Sequence, residues 1–129
     1  MKKLLMLGTS YGTLLMLDYA KKQGVYTIVT DYMEPEHSPG KLAANEYWMI
    51  NTGDLDALEA KCREENVNAV VCGISEFNLE MCMALCARLG LPCYCTPEAW
   101  HYSRDKVDYK ALASSLGAPL ADDYFLSDP

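Results

Sequence analysis

Leu4-Leu5-Met6-Leu7 is an unbroken apolar run that ends at Gly8, and a stretch with helical spacing over residues 13–23 follows it directly. A run without polar alternation suits a strand covered on both faces, and the helix behind it supplies one of the covers. The same alternation recurs along the chain. It restricts the fold to βαβ units around a mainly parallel sheet.

Residues 25–30 form a β-branched second strand that ends at Asp31. Residues 33–40 hold two prolines and Gly40, so a loop is expected there. A short third strand is expected over 47–50. Asp54 then caps a helix that keeps Leu55, Leu58 and Cys62 on one face. A fourth strand covers 69–72, and Gly73-Ile74-Ser75 turns it into a helix over 76–89 that Gly90 and Pro92 stop. Residues 92–95 read as a fifth strand, and Pro97 opens a short helix through Trp100.

The fold expected is therefore α/β: a Rossmann-like, open, mainly parallel sheet of about five strands with helices on both faces. Crossovers in such sheets are right-handed, and ligands bind beyond the C-terminal ends of the strands. Residues 1–102 make this domain. Residues 103–129 make a C-terminal helical linker that leads out of it, and a finished small domain has no use for such an extension.

With 129 residues, half of them hydrophobic, the chain can bury one core without staples. A formal net charge of −7, with no Lys/Arg cluster, excludes general nucleic-acid and anionic-membrane binding as functions. The four-residue apolar run before Gly8 is too short for the h-region of a signal peptide. No stretch nears the roughly 20 apolar residues of a membrane span. A cytoplasmic protein is expected.

The six cysteines, Cys62, Cys72, Cys82, Cys86, Cys93 and Cys95, include no C-x-x-C pair. Cys82 and Cys86 share a helix face with Met81, Leu85 and Leu89. Cys93 and Cys95 fall on one side of the expected fifth strand. Reduced thiols packed as small apolar side chains are the expectation. A zinc site drawn from four of the six is the alternative, but the spacing differs from the common motifs and neither His lies nearby in sequence.

Four segments at strand ends carry candidate chemistry. Gly8-Thr9-Ser10-Tyr11-Gly12 leads into a helix, where small residues let backbone N–H groups approach an anion. Against the dinucleotide fingerprint G-x-G-x-x-G, Ser10 and Thr13 replace the second and third glycines. A tight structural turn, an anion or polar-substrate site and a dinucleotide site all stay open there. Asp31 stands where a ribose-binding acid would stand, or is simply a strand-end cap. In Gly73-Ile74-Ser75-Glu76-Phe77-Asn78, Ser75 caps the next helix. Glu76 and Asn78 there could read an amine or hydroxyl, although an acid in a first turn is also plain favourable electrostatics. Finally, Ser103 can cap a helix in which Arg104 and Asp108 pair at i, i+4 and Lys106 and Lys110 share a face. From spacing alone that helix is a solvated charged face.

Taken in order, these segments resemble the N-terminal (preATP-grasp) region of ATP-grasp ligases, among them biotin carboxylase and the carbamoyl-phosphate synthetase large subunit. The matching residues are Leu5 through Gly12, Gly73 through Leu79, Leu89-Gly90-Leu91-Pro92, Thr96-Pro97-Glu98-Ala99, and Asp105-Lys106-Val107-Asp108-Tyr109-Lys110-Ala111-Leu112 with Gly117-Ala118-Pro119. The resemblance implies a parent enzyme that uses ATP and Mg²⁺ to activate a carboxylate as an acyl phosphate and joins it to an amine. Lys106 inherits the role of a lysine on the nucleotide phosphates. Gly8, Ser10, Tyr11, Asp31, Glu76 and Asn78 form the substrate side. The ATP-grasp domain itself is the missing partner, with a homodimer as a further one, and these 129 residues alone are expected to be inactive and to hold no cofactor tightly. The competing expectation is a stand-alone Rossmann-type module that binds NAD(P) across Gly8–Gly12 and Asp31. A response-regulator-like domain would need acids clustered at the first strand, which Met6-Leu7-Gly8 does not offer.

Overall fold

A computed structural model describes residues 1–122 and Tyr124. The chain divides into two compact units, Met1–Tyr94 and Cys95–Pro129. In the first, β1 (Lys3–Leu7), β2 (Tyr26–Thr30), β3 (Glu46–Trp48) and β4 (Ala69–Cys72) form one sheet in the order β3-β2-β1-β4. Every pairing is parallel, with Leu5 opposite Ile28 on one side and Val70 on the other.

The apolar run of β1 is explained by two-sided burial. Leu5, Met6 and Leu7 are fully buried. Leu5 and Leu7 face α3 (Leu55–Glu64) and α4 (Glu76–Leu89), packing with Ile28, Trp48, Leu58, Cys62 and Leu85. Met6 points the other way with Val29, against Leu17 of α1 (Tyr11–Lys22). Asp54 caps α3 as expected, its carboxylate accepting the Ala57 N–H at 3.1 Å. Ser75 does the same for α4 by accepting the Asn78 N–H at 3.2 Å.

Residues 33–40 and 92–95 differ in kind from the sequence expectation. Residues 33–40 are not a plain loop: a 3₁₀ turn, Pro35–His37, leads into α2 (Pro39–Ala43). Each proline sits at the first helical position, where its missing N–H would have no partner anyway, so prolines read as breakers are in fact helix starts. Residues 92–95 form no strand, and the sheet has four strands. Pro92 cannot donate to a ladder, and the chain bends at Tyr94 and Cys95.

In the second unit, Thr96 caps α5 (Pro97–Arg104) and Asp105 caps α6 (Lys106–Ser115). The expected cap, Ser103, lies inside α5 instead, with its hydroxyl donating to the Ala99 carbonyl at 2.9 Å. Asp105 displaces it because one carboxylate oxygen accepts both the Val107 and Asp108 N–H groups, at 2.9 and 3.0 Å. Asp108 pairs with His101 Nε2 at 2.7 Å. The end of the 103–129 segment, residues 123 and 125–129, lies outside the described residues. No described helix is long and apolar enough to cross a membrane.

Candidate functional site

The C-terminal ends of β1 and β4 open on a small cleft of about 50 Å³, lined by Gly8, Thr9, Ser10, Thr13, Gly73 and Asn78 among others. It sits where the sheet order places the first crossover beside the last, the position at which open α/β sheets bind ligands.

Its walls are held at close range. Gly8 has φ +66°, and a Cβ there would lie 2.4 Å from Asn78 Nδ2. Asn78 in turn donates that Nδ2 to the Leu7 carbonyl at 3.3 Å, which ties the first turn of α4 to the end of β1. Opposite, a Cβ on Gly73 would meet the Thr13 methyl at 2.5 Å. Thr13 fixes the start of α1: its hydroxyl accepts the Ser10 N–H at 3.0 Å and donates to the Ser10 carbonyl at 2.7 Å.

A buried polar chain supports the loop between β1 and α1 from behind. Lys41 Nζ lies 2.8 Å from Asp31 Oδ1, and the two side chains are 0% and 8% exposed. Lys41 also donates to the Asp31 carbonyl at 2.9 Å. Asp31 Oδ2 accepts the Ser38 hydroxyl at 2.8 Å, and Oδ1 accepts the Met33 N–H at 2.9 Å. Because Ser38 gives its only proton to the carboxylate, the 3.0 Å contact between Thr9 Oγ1 and Ser38 Oγ has Thr9 as donor. Ion pair, hydroxyl and hydroxyl thus run in series from the end of β2 to Thr9 at the cleft.

Of the residues singled out in the sequence, Gly8, Ser10 and Asn78 come together at the cleft. Tyr11 and Glu76 stand on the first turns of α1 and α4, exposed and outside the lining. Asp31 is at the strand end as expected, but both carboxylate oxygens are committed to internal partners. Thr9, Ser38 and Lys41 were not singled out. Ser38 and Lys41 fall in and beside the proline segment read as a loop, where nothing marks a lysine as buried.

Lys106 is the first residue of α6 and is exposed. A cation at a helix N-terminus opposes the helix dipole, at a cost of about 0.3–1 kcal/mol. The Asp105 cap offsets it, and because that cap takes the Val107 and Asp108 amides and its carbonyl takes the Tyr109 amide, the ammonium is the main donor this helix start offers an anion.

This is a Rossmann-like α/β domain, and its fold is that of the N-terminal region of ATP-grasp ligases, as the sequence resemblance implied. N5-carboxyaminoimidazole ribonucleotide synthetase from Thermotoga maritima aligns with a TM-score of 0.73 at 22% identity, over 95% of this chain and 32% of that one. Pyruvate carboxylase from Rhizobium etli aligns with a TM-score of 0.74 at 17% identity, over 93% of this chain and 13% of that one. The N5-carboxyaminoimidazole synthetase of Staphylococcus aureus, solved with ADP, aligns with a TM-score of 0.65 at 21% identity, over 90% of this chain and 30% of that one. The chain thus spans about a third or less of the length of these proteins. No protein-family model and no curated protein sequence matches it.

Proposed function

We propose that the chain is the substrate-side N-terminal part of an ATP-dependent ligase of the ATP-grasp kind, which activates a carboxylate as an acyl phosphate and joins it to an amine or similar nucleophile. The observation that carries this is a shared architecture running through nearly the whole chain, with the cleft of Gly8, Ser10 and Asn78 at the ligand-binding end of its sheet. The cleft's donors and acceptors are neutral, which suits a small polar substrate held by hydrogen bonds. Tyr11 and Glu76 flank it and set what larger groups the substrate carries.

ATP belongs to the second unit. Lys106 suits the phosphates as a compact point charge at the start of α6. Bound Mg²⁺ would neutralise charge on the transferring phosphoryl group. Among the described residues the cluster of potential metal ligands is three thiols, which suit a soft ion rather than a hard one, so no Mg²⁺ ligand is assigned to this chain.

The competing NAD(P)-module reading asks Asp31 to hold a ribose. With its carboxylate fully engaged by Lys41, Ser38 and the Met33 amide, that use would break a buried ion pair. The test takes the extended protein, meaning this chain with any sequence its gene carries beyond these residues, and measures ADP release against a panel of carboxylates and amines. ADP release that requires Mg²⁺ and a particular acceptor, absent from the 129-residue chain alone, is expected. Tight NAD(H) or NADP(H) binding by the chain, with no ADP formed by the extended protein, overturns the proposal.

A further inference from the structure

Cys62, Cys72, Cys82 and Cys86 are buried in the core on the α3/α4 face of the sheet, and Cys93 packs against it. Small apolar packing accounts for buried cysteines taken singly. It does not account for their convergence, because the sulfurs of Cys82, Cys86 and Cys93 all lie within 4.8 Å of one another.

Two local devices produce this. Cys82 and Cys86 stand one turn apart on the inward face of α4. Gly90 then ends the helix at φ +67°, and Leu91 donates its N–H to the Cys86 carbonyl at 2.9 Å, which folds the chain back and returns Cys93 over the same spot. A fourth thiol, Cys72 at the end of β4, neighbours Cys82 and lies 3.0 Å from the Tyr94 hydroxyl, but it falls outside the group of three mutually close sulfurs.

We propose that Cys82, Cys86 and Cys93 form a thiolate site for a thiophilic d¹⁰ cation, Cu(I) or Zn(II), with Cys72 available as the fourth ligand of a tetrahedral ion. Metal–sulfur bonds of about 2.3 Å in a tetrahedral site place sulfurs roughly 3.8 Å apart, so the three-sulfur cluster closes on an ion with shifts of about 1 Å or less, while Cys72, outside that cluster, has farther to move. All donors are sulfur, which selects a soft ion over Mg²⁺ or Ca²⁺. As each metal–sulfur bond forms, the thiol proton leaves to solvent, and no electron is transferred. The two ions differ in need: three thiolates satisfy a trigonal Cu(I), whereas Zn(II) takes four ligands and recruits Cys72. The inference is independent of the ligase reading, since none of these cysteines lines the substrate cleft and the site needs no ATP.

The test titrates the reduced chain, without oxygen, with Co(II) as a stand-in for Zn(II) and separately with Cu(I) against a chromophoric chelator. One equivalent of either ion, with a sulfur-to-cobalt charge-transfer band, is expected. Cys93→Ala should weaken both by more than the 10–100-fold that loss of an outer-shell partner costs. Cys72→Ala should weaken Co(II) and leave Cu(I) within about twofold, while Cys95→Ala should change neither. Far-ultraviolet circular dichroism checks that each variant folds. Alkylation mapped by mass spectrometry on the unmutated chain gives a second readout, in which metal should protect Cys86 and Cys93 but not Cys95. Absence of a thiolate band at one equivalent, an unchanged affinity in folded Cys93→Ala, or equal alkylation of Cys93 with and without metal overturns the proposal.

Discussion

The Lys41 ammonium lies 2.8 Å from the Asp31 carboxylate, and the pair is almost closed to solvent. Through Ser38 it reaches Thr9 at the cleft, so a buried pair outside the cleft lining supports the loop between β1 and α1. A buried pair of this kind is little evidence of net stability, but breaking it is costly because one charge is left without a partner.

Lys41→Met is therefore expected to destabilise the chain by about 3 kcal/mol or more, read from denaturant unfolding of the first unit. Asp31→Asn keeps the acceptor for Ser38 or the Met33 amide but strands the lysine. The double variant should be more stable than the sum of the singles predicts, by about 0.5–3 kcal/mol of coupling. Additive losses would mean the pair does not act as a unit.

A second coupling links the two sides of the cleft. Gly8→Ala places a side chain in left-handed backbone, at a cost of about 1–2 kcal/mol, and drives its Cβ against Asn78 Nδ2. Asn78→Ala alone loses a hydrogen bond to the Leu7 carbonyl, worth about 1 kcal/mol. In the Gly8→Ala background the same truncation also removes the clash, so it should cost less or stabilise. Equal cost of Asn78→Ala in both backgrounds, by thermal unfolding, would show that the helix start has moved instead.

Acid sensitivity should centre on Glu65, which follows α3 and ties it to β1. Its carboxyl is held down to about 2, first by hydrogen bonding from Lys3 and then from Lys61. In the unfolded chain the same group titrates near its ordinary value of about 4.3. Its folded-state value is depressed, so its contribution is complete above about pH 5 and is lost as pH falls through 4 toward 2. Glu65→Gln should flatten the stability profile in that window and leave the neutral-to-alkaline limb unchanged. A profile of unaltered slope between pH 5 and 2 would assign the acid limb to other carboxylates.

These couplings show what the sequence could and could not reveal. β1, β4 and α4 were legible residue for residue, because two-sided burial gives unbroken apolar runs and Ser75 and Gly90 mark the ends of α4 chemically. Gly8 and Asn78 could each be placed near the crevice from topology. Their close approach, which would put a Cβ on Gly8 2.4 Å from Asn78 Nδ2, could not, since it depends on the register of β1 against β4. The Asp31–Lys41 pair was invisible for a different reason: period and propensity report which residues are apolar, and a lysine buried by a partner ten residues away breaks that rule. The three converging thiols likewise required the chain reversal at Gly90, which a strand expected over 92–95 would have directed elsewhere.

The position of Lys106 allows structural and functional roles to be separated by sign. It is exposed at the first position of α6, beside a cap whose carboxylate is itself held below its ordinary range by the Asp108 and Val107 amides. If Lys106 served only the helix, its charge would be at the wrong end, because the N-terminal dipole favours an acid there. Lys106→Glu should therefore stabilise α6, by about 0.3–1 kcal/mol at low salt, seen as slower hydrogen exchange of the α6 amides. If the proposed ligase reading holds, the same change in the longer ATP-dependent protein should raise the KM for ATP sharply and leave that for the acceptor near its original value, because it removes a cation from the phosphates and adds a like charge. Lys106→Ala should lie between the two on both scales. A variant series in which helix protection and ATP affinity fall together would make Lys106 a structural residue and remove the nucleotide role from this chain.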